Sequence, residues 1–243
     1  MISECFQNPI EVGFRAVGIS EGFLCAVAFV LVILLSLSTH EYAHGFVALK
    51  NGDPTARDLG RLTLNPIKHV DLIGILMLLF CGFGWAKPVP VDARNMKHPR
   101  RGWVLTSLAG IAANLLSGFI CALGLVLASL LFRIEACRIE TIPYVISYFC
   151  YALCYYGLVV NVSLALFNLL PIFPLDGFHV LEALVGHDTP VLRGLRRYGV
   201  YVLLLLVLIG SFAPQFDLLG IYINEVGGAV IAFFLRVWSW IGG

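Results

Sequence analysis

The run Ser36-Leu37-Ser38-Thr39-His40-Glu41-Tyr42-Ala43-His44 decides how the rest of this chain is read. It closes an apolar stretch over residues 22–46. A helix needs roughly 20 apolar residues to cross the hydrocarbon core of a bilayer, so this stretch is long enough to span. Its end carries the pattern H-E-x-x-H. Residues four apart share one helical face, about 6 Å apart along the axis. Two imidazoles so placed can hold one zinc ion at about 2.0–2.1 Å. Glu41, next to the first histidine, can reach a metal-bound water as its general base. The competing interpretation is a pair of polar helix-end residues facing lipid headgroups. Ionisable groups inside a span are costly, and three of them at this spacing need a shared partner, which a dication supplies.

Working outward, composition agrees with a membrane setting. The chain has 243 residues, 59% hydrophobic and 13% charged. A soluble domain carries about a quarter charged residues. Too few charges are present to coat a water-facing surface, so the lipid bilayer is the expected solvent. The net charge of +1 gives no reason to expect nucleic acid as a partner. Cys25, Cys81, Cys121, Cys150 and Cys154 lie in apolar stretches and are expected as small buried hydrophobes. No basic n-region followed by a short apolar run and a cleavage site opens the chain, so a removable signal peptide is not expected.

Four further apolar runs lie near 103–132, 144–170, 198–213 and 219–240, the short one at 198–213 extending backward through Tyr198. A shorter run from Leu72 to Phe83 fits a re-entrant segment better than a span. Residues 51–101 are rich in glycine and proline. Within them 61–64 and 89–91 read as short extended pieces, and Pro90 would confine its piece to a sheet edge. The expected fold is an all-α membrane protein. It is a polytopic helical bundle of about five to six transmembrane segments, with a small re-entrant or β element near residues 57–92. The chain reads as a single domain over 1–243, its core about 22–190, with additional C-terminal spans at 198–240.

Basic residues set the expected orientation. If the first span runs inward, Lys50, Arg57, Arg61, Lys68, Lys87, Arg94, Lys97, Arg100 and Arg101 fall inside. Alternating spans then bring Arg193, Arg196, Arg197 and finally Arg236 inside, leaving Arg15, Arg133 and Arg138 outside. The first and third long spans both run inward on this count. The third ends in Asn168-Leu169-Leu170-Pro171-Ile172-Phe173-Pro174-Leu175-Asp176-Gly177. A catalytic zinc site takes three protein ligands and keeps one position for water. Asp176 is the strongest candidate for the third ligand, because it arrives at the same side as the histidine pair. A plain Pro-x-Asp-Gly turn is its bland alternative.

Taken together, H-E-x-x-H and N-x-x-P-x-x-P-L-D-G at membrane-helix ends resemble the site-2 protease family of intramembrane zinc metalloproteases. Residues 51–57 and 84–91 resemble its compact prokaryotic branch, without a PDZ insert or a nucleotide-sensing tail. The resemblance covers roughly residues 30–190. It implies one Zn²⁺ per chain held by His40, His44 and Asp176, with Glu41 catalytic. It also implies that Asn168 helps to hold the substrate or the oxyanion. The implied reaction is hydrolysis of peptide bonds within or near transmembrane segments of a membrane-spanning protein substrate. The implied location is the cell membrane, multi-pass, with the active site near the cytoplasmic face. Two positions depart from the family pattern: Ile111 follows Gly110 where proline is common, and Leu72 stands where proline is frequent.

Two further residues are candidates for supporting roles. Asn114 sits on a span, where helix–helix hydrogen bonding is the bland interpretation. His179 follows Asp176 by three and could orient the site. His69, His98 and His187 sit among charged or turn residues and are expected to be solvated. From residues alone, a transporter, another membrane metalloenzyme and an inactive relative remain competing readings. The transporter leaves the ligand spacing unexplained, and diiron chemistry would call for more histidines.

Overall fold

The computed structural model describes residues 21–74, 84, 86–132, 142–186 and 189–242. The helices are α1 (Glu21–Lys50), α2 (Thr55–Asp58), α3 (Pro99–Phe132), α4 (Ile142–Leu169), α5 (Asp176–Val185), α6 (Pro190–Phe212) and α7 (Leu218–Gly242). Five of them, α1, α3, α4, α6 and α7, are long and apolar enough to cross a membrane. The protein is therefore an all-α polytopic bundle, and four of the five span positions fall within a few residues of the apolar runs. The exception is α6, which begins at Pro190. Thr189 caps it by accepting from Leu192 N, and proline occupies its first turn. Caps start a helix whatever the polarity of the residues that follow, so the basic turn at 193–197 was not visible as helix in an apolar count.

The helices α1, α3 and α4 form the centre. Small residues bring α3 and α4 together: a Cβ on Gly124 would lie 2.6 Å from Cys154 Sγ, and one on Gly157 2.5 Å from Cys121 Sγ. Close backbone approach of this kind drives helix association where lipid competes equally for apolar surface. Hydroxyls inside α1 satisfy themselves on their own helix. Ser38 Oγ donates to Leu34 O at 2.6 Å and Thr39 Oγ1 to Leu35 O at 3.0 Å. The outer faces present Phe23, Leu35, Leu116 and Ile120. Cysteines follow the same logic and correct one expectation: Cys25, Cys121 and Cys154 are only partly buried, and Cys150 is exposed. A small apolar group gains little by leaving lipid. Cys81 lies outside the described residues.

Among the described residues there is no strand. The pieces at 61–64 and 89–91 are irregular backbone. Pro88 and Pro90 remove two donors, and the N–H groups of Lys87 and Val89 bond elsewhere. Lys87 N donates to His69 O at 2.8 Å and Val89 N to Glu41 Oε2 at 2.7 Å. Of the expected re-entrant run, 72–74 is helical and 75–83 lies outside the described residues. His69 is buried rather than solvated, its Nε2 donating to Thr63 O at 2.8 Å. His98 is exposed as expected, and His187 lies outside the described residues.

The direction of α7 corrects the basic-residue count. Tyr222 OH donates to Leu166 O at the end of α4, whereas Trp238 Nε1 donates to Phe119 O, well along α3. The helix α7 therefore leaves the end where α4 finishes and travels toward the other. Arg236 lies near its far end, away from the basic residues at 50–101 and 193–197. Strict alternation of crossings, counted from apolar length, requires the opposite direction.

Candidate metal centre

Three elements converge at the end of the bundle where α1 and α4 finish and α3 begins. The apolar run of α1 continues as helix through Lys50, so His40 and His44 project from one face. Their Nε2 atoms lie 2.9 Å apart. Pro171 and Pro174 follow the end of α4, and Asp176 opens α5 as its first residue. The bland alternative of a plain Pro-x-Asp-Gly turn is thus replaced by the start of a helix. A carboxylate there also faces the positive end of the helix dipole.

Asp176 Oδ2 lies 3.1 Å from His40 Nε2 and 3.3 Å from His44 Nε2. A tetrahedral zinc with bonds of about 2.0–2.1 Å separates neighbouring ligand atoms by about 3.3–3.4 Å. The observed separations are close to that, so the donor set fits the metal. His40 is 6% and His44 9% exposed. Burial opposes ionisation of Asp176, but its contacts with His40 and His44 outweigh burial and hold its carboxyl below the usual carboxylate range.

Two glycines make room. A Cβ on Gly177 would run into the carbonyl oxygens of Leu169 and Leu170, so only glycine lets α5 start against the end of α4. A Cβ on Gly110 of α3 would sit 2.6 Å from His40 Cε1 and 2.6 Å from His44 Nε2. The bare backbone at Gly110 therefore borders the three donor atoms. One turn earlier on α3, Thr106 O accepts from His44 Nδ1 at 2.7 Å. That bond fixes the tautomer and leaves Nε2 free to coordinate.

Glu41 is half-buried, and its Oε2 accepts from Val89 N. The irregular segment at 86–91 thus fixes one carboxylate oxygen and leaves the other uncommitted to it. Asp53 in turn fixes that segment. It is fully buried and accepts from Thr55 N at 3.1 Å, Asp92 N at 2.7 Å and Asn95 Nδ2 at 3.0 Å. Burial would raise its pKa, but the Thr55 hydroxyl, which also donates to it, together with these donors holds it low. Sequence reading missed both Asp53 and the Val89 donor. The sequence signals were the family resemblance of residues 51–57 and 84–91 and an aspartate ahead of a helix start in Gly52-Asp53-Pro54-Thr55, neither of which assigns a role.

The other candidates are placed differently. Asn168 lies in the last turn of α4, and its Nδ2 donates to Leu164 O at 2.9 Å, back onto its own helix. His179 lies on α5 with Nδ1 3.7 Å from Glu182 Oε2 and its ring 5.3 Å from that of Trp103. Burial holds its pKa below the usual imidazole value; the Asp176 carboxylate opposes this and Arg196 reinforces it. Glu182 pairs with Arg196, tying α5 to α6. Asn114 is fully buried on α3, one turn beyond Gly110.

Comparison with known proteins agrees with this geometry. Residues 144–210 match the family model of peptidase family M50. The chain is 41% identical over 189 residues to "Putative zinc metalloprotease YwhC" of Bacillus subtilis (strain 168), covering 75% of this chain and 82% of that one. It is 28% identical over 225 residues to "Putative zinc metalloprotease Rip2" of Mycolicibacterium smegmatis, covering 85% and 81%. The Rip2 protein of Mycobacterium tuberculosis (strain H37Rv) is 30% identical over 232 residues, covering 88% and 83%. No solved structure matches the chain.

Proposed function

Because this chain belongs to peptidase family M50, the site-2 protease family, we propose that it cuts peptide bonds within or near the transmembrane segments of membrane-protein substrates. It is a zinc-dependent metalloprotease with several helices able to cross a membrane. In this proposal His40, His44 and Asp176 hold one zinc and Glu41 is the general base. The observation that carries it is the convergence of two imidazole nitrogens and one carboxylate oxygen within 2.9–3.3 Å of one another, one residue from a glutamate.

When bound, zinc supplies a Lewis acid and lowers the pKa of a coordinated water toward about 7. Glu41 takes the proton of the attacking water and later gives it to the amine nitrogen as the peptide C–N bond breaks. Val89 N–H holds Oε2, so Oε1 is the oxygen available for that transfer. Thr106 O keeps the His44 imidazole in the tautomer that coordinates through Nε2. Asn168 donates to the oxyanion, for which its amide must turn from Leu164 O. The substrate helix must first unwind, and its freed amides then need partners in place of the absent water. The irregular segment at 86–91 borders Glu41, the one at 61–64 packs Leu62 near Gly45 one turn further along α1, and both offer backbone groups for this.

The active end faces the cytoplasm in this proposal, in a multi-pass protein of the cell membrane. The basic residues that flank it, among them Lys50, Arg57, Arg61, Arg100 and Arg196, support that orientation. The test is proteoliposome cleavage of a single-span substrate carrying a helix-weakening residue. Cleavage inside the span, stopped by a chelator and restored by zinc, is expected. Cleavage confined to soluble loops would overturn the substrate assignment.

A further inference from the structure

The two histidines differ in how their second ring nitrogen is held. His44 Nδ1 donates to Thr106 O. His40 Nδ1 is buried and meets no hydrogen-bond partner among the described residues. With Nε2 turned toward His44 and Asp176, the lone pair belongs there and the proton must sit on Nδ1. A ligating histidine donates that proton to an acceptor almost without exception, because the bond fixes ring orientation and raises basicity.

A complementary group lies nearby. Asn114 is 0% exposed, and both Oδ1 and Nδ2 of its amide are without a partner among the described residues. Buried amides left in this state are rare and call for a ligand or a partner. Packing contacts fix its level in the bundle. Thr106 meets His44, and Gly110 meets both histidines. A Cβ on Gly118 would lie 3.6 Å from Asn161 Cβ, and Asn161 Nδ2 donates to Ser36 Oγ at 2.9 Å. Residues 110, 114 and 118 share one face of α3. Asn114 therefore stands between the level of His40 and the level of Ser36. Side chains on a helix lean toward its N-terminus. Since α1 and α3 run in opposite directions, His40 leans toward the level of Asn114 while Asn114 leans toward the level of His40. The count of donors and acceptors also closes: His40 Nδ1–H needs an acceptor, and Asn114 Oδ1 is one. Asn161 Oδ1, likewise unpartnered among the described residues, suits the Asn114 amide donor.

We propose that Asn114 is the positioning residue of His40, its Oδ1 accepting the Nδ1–H of that imidazole, directly or across one water, when zinc is held. The inference rests on the proposed metal centre and assigns the second histidine the support that Thr106 gives the first. A role in helix packing alone requires shape; this role requires an acceptor.

The test measures zinc affinity of the purified full chain by competition with a chromogenic chelator, for wild type, Asn114→Leu, Asn114→Ala and Asn114→Asp. Loss of such a partner typically weakens metal binding about 10–100-fold. That loss is expected for Asn114→Leu and Asn114→Ala, whereas Asn114→Asp, which keeps an acceptor, is expected to hold zinc as wild type does or more tightly. Alanine serves if leucine impairs folding. Wild-type affinity in either apolar variant overturns the proposal, as does an aspartate variant as weak as the alanine one. A wild type that binds no zinc overturns the metal centre itself, and this inference with it.

Discussion

The central helices and the C-terminal pair are built from similar apolar sequence but are held differently. In the apolar window of α4, 39% of residues are buried, and in those of α1 and α3 22% and 28%. The corresponding shares for α6 and α7 are 11% and 6%. Buried polar groups divide the same way: Ser36, His40, His44, Thr106, Asn114 and Asn161 all lie on α1, α3 and α4. In lipid, apolar contact between helices gains little over contact with acyl chains, so close packing and internal hydrogen bonds decide what is rigid. The difference teaches that this protein keeps its chemistry where backbones approach closely. Of its C-terminal pair, α7 packs Tyr222, Phe234 and Trp238 against the cluster of Leu158, Val162 and Leu166.

That contrast predicts a ranking of effects. Glu41→Gln should be the largest, a loss of about 10²–10⁴-fold in cleavage rate with zinc content and fold unchanged. Glutamine keeps the size and loses the basicity. Equal cleavage by variant and wild type in proteoliposomes would remove Glu41 from the mechanism. Asn168→Ala comes next, on the order of 10²–10³ in rate, as for loss of one oxyanion donor. Elemental analysis should find its zinc retained. If the metal is lost instead, Asn168 supports the α4–α5 turn rather than the oxyanion.

Gly110→Ala tests the packing side of the same contrast. Its methyl would lie 2.6 Å from both imidazoles. Overpacking of this sort costs about 1–3 kcal/mol, so zinc affinity should fall roughly 10–100-fold. Unchanged affinity by chelator competition would mean that α3 can retreat from α1. Val89→Pro should be smaller, about tenfold in rate, because it removes one N–H from the Glu41 carboxylate in a segment already flanked by Pro88 and Pro90. A drop in zinc content rather than in rate would show that the segment supports the ligands.

What was legible in the sequence follows the same division. His40, Glu41 and His44 could be read from helical spacing, because α1 itself fixes them. Asp176 needed only that two helices end on one side of the membrane. Val89 N–H and Thr106 O could not be read, because backbone donors and acceptors leave no side-chain signature, and Asp53 could be read only as an aspartate ahead of a helix start. Their positions depend on how 51–97 folds against α1, a matter of tertiary hydrogen bonds rather than periodicity. The direction of α7 was misread for a related reason. Hydropathy reports that a segment suits lipid and nothing about which way it runs, and so little of α7 is packed that few residues encode its direction.

Gly228→Ala should have the smallest effect, and it tests the loosely held side. Gly228 lies mid-way along α7, and an added Cβ there meets nothing within 4 Å. Its neighbour Gly227 faces inward, with Leu166 Cδ1 3.4 Å from the equivalent position. Alanine in place of an exposed helical glycine reduces the freedom of the unfolded chain and favours the helix by roughly 0.5–1 kcal/mol. Thermal unfolding in detergent should therefore shift slightly upward. Cleavage should stay within about twofold, since the added methyl meets nothing within 4 Å. A marked loss of activity with unchanged unfolding would break the contrast between the two regions. It would mean that the outer face of α7 is covered in the working enzyme, by the substrate helix or by a second copy of the chain. Cross-linking from a cysteine placed at Gly228 would then separate these two occupants.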